Sequence, residues 1–244
     1  MGATMTETPL PFDGAALLTR TAALGPYFAL PTVAAGAGQD VAALLADEAV
    51  VRDFVDRTRG AIAASMACET GLVPRRMAAS SFQMGVVARL LSPVLGAATL
   101  GARVPLLTET SVRWLGSDGH APRFGLAGPH WAPAAERAAD AIATSVLACL
   151  VGPLTDTLAA AVGLSPRISW GNASSAANGA VTVLAMTRPD LEHAGRALVA
   201  DLLRTDPLRG TAHVTDGRFV RRSCCLFYRA PGGGLCQDCV LATR

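Results

Sequence analysis

Arg221-Arg222-Ser223-Cys224-Cys225-Leu226-Phe227-Tyr228-Arg229-Ala230-Pro231-Gly232-Gly233-Gly234-Leu235-Cys236-Gln237-Asp238-Cys239 holds four of the chain's six cysteines, spaced C-C-x10-C-x2-C. The Pro-Gly-Gly-Gly run predicts a turn that folds the adjacent pair back against the C-x2-C pair and brings four sulfurs together. Four convergent thiolates make a metal site, so this end of the chain reads as a module closed on a metal.

The spacing bears on which metal. A C-x2-C loop presents two sulfurs to one tetrahedral ion readily. Adjacent cysteines on an extended backbone point to opposite faces, so Cys224 and Cys225 need a turn or a site wider than one ion. A rhombic 2Fe-2S core is such a site. The simplest arrangement gives Cys236 and Cys239 one iron and Cys224 and Cys225 the other. Arg221, Arg222 and Arg229 flank the ligands, as a negatively charged cluster requires, and would raise its reduction potential. Gly232, Gly233 and Gly234 let backbone approach the sulfurs, whereas Asp238 opposes this by setting a carboxylate between two ligands. Structural zinc and a redox-active Cys236–Cys239 disulfide are the rival readings.

The run 221–228, Arg-Arg-Ser-Cys-Cys-Leu-Phe-Tyr, with Pro-Gly-Gly-Gly-Leu-Cys-x-x-Cys at 231–239, resembles the C-terminal signature of the FhuF-like ferric-siderophore reductases. Those proteins hold a 2Fe-2S cluster on the same cysteine spacing, matched here without a departure. Ser80-Ser81-Phe82 and Trp170-Gly171-Asn172 are similar to family segments, less specifically. The resemblance implies a cytoplasmic oxidoreductase, peripheral at the inner membrane face, with Cys224, Cys225, Cys236 and Cys239 as ligands. It implies transfer of one electron to a ferric siderophore of the hydroxamate class, with a ferredoxin or a flavin reductase as electron donor. No catalytic residue beyond the cluster is needed. A non-enzymatic iron-sulfur carrier or redox sensor is the alternative, and a zinc-stabilised binding module a more distant one.

At 244 residues the chain can bury a sizeable core. Hydrophobic residues make up 51% and charged residues 16%, and mean hydropathy is +0.36. The charge-free runs 141–155 and 168–187 are too short or too polar to span a bilayer, so no transmembrane segment is expected. Residues 1–11 lack a basic and then apolar leader, and the expectation is a chain that stays among reduced thiols. Net charge is +2 and pI about 8.3, too balanced to argue for nucleic acid. All 21 basic residues are arginine. That excludes a P-loop lysine and Schiff-base chemistry. G-x-S-x-G, H-E-x-x-H and G-x-G-x-x-G are absent, and the four histidines are scattered.

The expected fold is mainly α (α+β): a helical domain over 1–209 with short strands around 103–128, and a C-terminal 2Fe-2S-binding module over 210–244 packed on it. Asp40 caps a helix whose apolar stripe runs through Val41, Leu44, Leu45, Val51, Phe54 and Val55. Pro74 opens a second, which Pro93 interrupts. Strands are expected at 104–107, 110–115 and 123–126, the last two joined at Ser117-Asp118-Gly119. Helices resume after Pro133, break at Gly152-Pro153, and continue through the small-residue segment after Trp170 and a further helix to Arg204. From Gly210 the chain reads as loop up to the cysteines. Cys68 and Cys149 read as buried small hydrophobes. Arg113, Trp114 and Trp170 offer guanidinium and indole surface for a bulky ligand, or an aromatic anchor for the fold.

Overall fold

The computed structural model describes residues 12–135 and 137–243, so the N-terminal stretch 1–11 lies outside the described residues. The fold is mainly helical with small antiparallel sheets and a C-terminal cysteine cluster. At its centre lies α4 (Arg75–Gly101), with buried positions along its whole length from Met77 to Ala98. Against it pack α7 (Pro166–Thr187), α3 (Glu48–Ser65), α1 (Gly14–Ala22) and α6 (Gly152–Val162). Small residues dominate the buried face of α7, where Gly171, Ala173, Ser174, Ala176, Ala177 and Ala180 let the two helices approach closely.

The first expected helix is two. Asp40 does cap α2 (Val41–Ala46), accepting from Ala42 N. Asp47 then accepts from Ala49 N and Val50 N at 2.7 and 3.2 Å, and its extended backbone starts α3 afresh. Such a cap is worth about 1 kcal/mol, enough to set the break where the apolar period alone runs through.

Pro93 does not end α4. Its ring is buried in the core, and the lost N–H costs a single hydrogen bond in a helix packed on many sides. Likewise Gly152-Pro153 does not break the run from α5 (Ala138–Ile142) into α6. A π-helical stretch at Ala143–Val151 absorbs the mismatch. Both runs, Arg75–Gly101 and Ala138–Val162, are thereby long and apolar enough, by length and composition alone, to cross a membrane. Their most apolar windows are 61% and 50% buried inside the fold, which accounts for the composition without a bilayer.

Strands occur where expected and also elsewhere. β2 (Arg103–Leu106) pairs with β5 (His130–Pro133). β3 (Val112–Asp118) and β4 (Ala121–Leu126) form the expected hairpin, with β1 (Gln39–Asp40) on the edge of β3. The stretch read as loop from Gly210 contains a second hairpin, β6 (Ala212–Thr215) and β7 (Arg218–Arg221). Asp216 and Gly217 link its strands with φ of 52° and 73°, the two positive values of a type I′ turn. α8 (Glu192–Leu202) packs on α7 and completes the helical body. Cys68 and Cys149 are half-buried and not fully enclosed.

Candidate metal centre

The β6–β7 hairpin delivers the chain to the cysteines. β7 ends at Arg221, whose side chain is 1% exposed, and Arg222 already points into solvent. Arg221 Nη2 donates to Asn172 Oδ1 at 2.6 Å, and Asn172 Nδ2 donates in turn to the backbone oxygen and Oγ of Ser80, each at 3.0 Å. Asn172 and Ser80 are buried in α7 and α4. A polar thread therefore ties the two central helices to the first residue of the module.

Adjacent cysteines need a turn if they are to face one way, and Leu226 provides it. Its φ of 68° lies in the left-handed region that a branched side chain enters at a cost. Leu226 N thereby donates to Cys224 Sγ at 3.3 Å. A 3₁₀ turn at Phe227–Arg229 follows, and the glycines return the chain. Gly232 has φ of 70°, and a Cβ on Gly233 would lie 2.4 Å from the carbonyl oxygen of Phe227. Cys239 N donates to Cys236 O at 3.1 Å, closing the C-x2-C turn, and Arg221 N donates to Asp238 O at 3.2 Å, pinning that turn to β7. Leu241 N donates to Cys239 Sγ at 3.3 Å, a second backbone bond to sulfur. The Leu226 bond favours the thiolate of Cys224 over its thiol.

The fold brings the two cysteine pairs together. Cys225 Sγ and Cys236 Sγ are 3.5 Å apart, and all four thiols are free. The Cys225 thiol is pulled down to about 6 by its hydrogen bond with Cys236, against burial. Cys236 is pushed up by that same bond and by burial, so the pair holds one proton tightly and releases the other. Burial also pushes Cys224 up. Among the described residues, no three His, Cys, Asp or Glu side chains are placed to hold a single metal ion. A two-iron rhomb asks instead for two thiolate pairs side by side.

Arg221 tests whether a negatively charged group fits there. Burial pushes its guanidinium down from the ordinary value, while charge on Cys225, Cys236, Asp238 and Cys224 acts the other way. Its Nε is buried without a partner, and none of the ion pairs among the described residues involves it. Asp238 is itself half-enclosed, its carboxyl pushed up by burial. A buried cation with an orphaned N–H and three thiols for neighbours suits an anionic iron-sulfur core. Cys224, Cys225, Cys236 and Cys239 are the residues that would hold it.

The other candidate residues scatter. Arg229 is exposed, with its guanidinium 5.7 Å from the ring centre of Tyr228. Arg113 is spent on the carbonyls of Ala37 and Gly38, at 3.0 and 3.2 Å, and Trp114 packs edge-on against Phe54. Trp170 is half-buried against the core one residue before Gly171. Sequence reasoning misses the roles of Asn172 and Ser80. Both fall in segments singled out for their resemblance, but nothing in either segment says that they bond each other.

A hollow of about 300 Å³ opens beside the cysteines, with Cys225 and Cys236 in its wall together with Tyr27, Ser81, Met84 and Phe227. A larger one, about 1160 Å³, lies between α8 and the β6–β7 hairpin and reaches the module at Gln237 and Asp238.

No curated protein matches the chain. Residues 221–241 match the family model of the FhuF 2Fe-2S C-terminal domain, a stretch that starts at Arg221 and includes all four cysteines. The cofactor of this module is a 2Fe-2S cluster. With the thiols gathered, the turns built around them and the family match confined to that stretch, the cysteine module is similar to the FhuF 2Fe-2S C-terminal domain, which supports an FhuF-like assignment.

Proposed function

We propose that this protein is a ferric-siderophore reductase, delivering one electron to chelated Fe3+ and so releasing Fe2+. When bound, a 2Fe-2S cluster stores and passes on single electrons. Hard oxygen donors such as hydroxamates favour Fe3+, and reduction loosens their hold, so no acid or base is required at the step itself. The protein's residues have three tasks. The four cysteines would hold the cofactor, the buried Arg221 guanidinium would offset its negative charge, and the surrounding walls would bring the chelate near. One electron moves onto the chelated iron, no bond to the protein forms, and a one-electron donor protein of the ferredoxin or flavin-reductase class restores the starting state.

The observation that carries this reading is the hollow with Cys225 and Cys236 in its wall. A carrier that meets only protein partners has no need of a small-molecule cavity at its thiols. The test is direct: dithionite-reduced protein is mixed anaerobically with a ferric trihydroxamate in the presence of a ferrous-specific chelator. The expected result is reoxidation with one Fe2+ trapped per reduced centre. A reduced spectrum that persists with the ferric chelate present would sink the reading in favour of a carrier or sensor.

A further inference from the structure

We propose that Asn172 is a positioning residue for electron transfer: its neutral amide holds the buried Arg221 guanidinium beside the thiols without cancelling its charge, and so keeps the reduction potential of the centre high. The proposal concerns the cofactor alone and is independent of what receives the electron.

Among the described residues, Arg221 is the one charged side chain buried in the interior. A buried guanidinium is ordinarily paired with a carboxylate, because an uncompensated charge away from water is costly. No ion pair among the described residues includes Arg221. The charge of Asp238 reaches it, but that residue is only half-buried and forms no such pair. The close partner is an amide instead. Arg221 Nη2 donates to Asn172 Oδ1 at 2.6 Å, against 3.4 Å to both Ile168 O and Ser223 Oγ, and Nε is left buried without an acceptor.

The amide has one way to sit. Its Nδ2 donates to the backbone oxygen and to Oγ of Ser80, each at 3.0 Å, so Oδ1 is the end turned to Arg221. Asn172 and Ser80 are 0% and 1% exposed and belong to α7 and α4, the pair of helices at the centre of the fold. Gln83, one turn beyond Ser80, donates from Nε2 to Ser169 O at 3.2 Å, a second buried bond between the same two helices. The guanidinium is thus braced by rigid helices and not by the turn-built module whose thiols it neighbours.

A carboxylate at position 172 would hold Arg221 as firmly, but would nearly cancel its field beyond the pair. An amide accepts the same bond and leaves the positive charge uncancelled beside an anionic cofactor. That charge favours the reduced, more negative state, which raises the potential. A guanidinium released toward water would be screened, and the effect would be lost.

Anaerobic redox titration of the cluster-loaded protein, followed by its visible spectrum, tests this in a double-mutant cycle of Asn172→Leu and Arg221→Met. Leucine is close to asparagine in size and accepts no hydrogen bond, so Arg221 loses its close partner. At the wild-type midpoint, the ratio of reduced to oxidised protein should fall at least about threefold in Asn172→Leu. Iron content and helical circular dichroism should stay unchanged. In the Arg221→Met background, Asn172→Leu should add nothing, because no guanidinium is left to position. Should methionine cost iron, Arg221→Gln serves in its place. Asn172→Asp, equal in shape, should lower the ratio as far as Arg221→Met does, since its carboxylate pairs with the guanidinium. A ratio unmoved in Asn172→Leu or in Asn172→Asp would overturn the proposal. So would an Asn172→Leu shift of the same size without Arg221, since the amide would then act on the cofactor by another route. Loss of iron from both Asn172 variants, with iron kept in the Arg221 variant, would make Asn172 a purely structural part and equally overturn it.

Discussion

Arg221 carries a guanidinium into the interior with no carboxylate paired to it, and its neighbours explain why that is tolerated. Asn172 accepts an N–H at 2.6 Å, Ile168 O and Ser223 Oγ accept more weakly at 3.4 Å, and charge on the thiols and Asp238 adds to these. The sequence reading treats Arg221, Arg222 and Arg229 as one flanking set. The structure separates them by burial, with Arg222 and Arg229 in solvent where their fields are screened. A unit charge about 10 Å from a redox centre, at an effective dielectric of about 20, contributes roughly 1.7 kcal/mol, or about 70 mV for one electron. Arg221→Met should therefore lower the midpoint potential by tens of millivolts in a redox titration. Arg222→Gln should leave it within about 10 mV, since exposed charges act through a high dielectric. Arg221→Lys, which keeps the charge and loses the planar fork, should stay nearer to wild type than Arg221→Met does. A midpoint unmoved in Arg221→Met, or moved equally by Arg222→Gln, would remove Arg221 from this role.

Between elements, the decisive contact is the one made by α7 with the start of the cysteine module. A Cβ on Gly171 would lie 2.1 Å from Ser223 Oγ and 3.1 Å from Arg221 Nη2. Alanine is otherwise the better helix residue by about 1 kcal/mol, so the sign of Gly171→Ala measures the clash against propensity. Overpacking of this kind costs about 1–3 kcal/mol and should win, lowering the apparent unfolding midpoint by a few degrees under anaerobic conditions. Adding Ser223→Ala removes the clashing oxygen and leaves Cβ at an ordinary 3.4 Å, so most of the loss should return. A double variant no more stable than Gly171→Ala would place the strain elsewhere. The same elements show what the sequence carries. The cysteine spacing, the stripe on α3 and the β3–β4 hairpin are local signals, and each is legible. Asp216-Gly217 is also a local hairpin signal, but Val214 and its strand neighbours His213 and Thr215 are exposed, so β6 lacks the alternation that would single it out. The Ser80–Asn172–Arg221 thread spans separations of 92 and 49 residues, and single-chain periodicity has no term for such pairs. Pro93 and Pro153 mislead because tertiary packing outweighs a local breaker.

Taken whole, the molecule joins parts of unequal independence. One continuous apolar core runs through the helical body from Leu18 to Phe219, and beyond β7 it gains, among the described residues, only Ala230 and the half-buried Leu226. After Arg221 the regular structure consists of short 3₁₀ turns held by single backbone bonds. A segment that buries so little apolar surface is ordered chiefly by what it ligates and by the polar thread beneath it. Removing iron anaerobically with a chelator should therefore melt the module and spare the body. Helical circular dichroism should change by no more than about a tenth, because α1 to α8 do not depend on the thiols for their core. Arg222 and Arg229 are exposed and sit in the turn-bound stretch, so trypsin reports on the order of the backbone around them. Cleavage there should accelerate at least tenfold in the iron-free form, tracking the population of the opened module. Global loss of helix on iron removal would mean that the cofactor holds the core together. Equal cleavage of the two forms would mean that the turns and the Arg221 thread suffice alone.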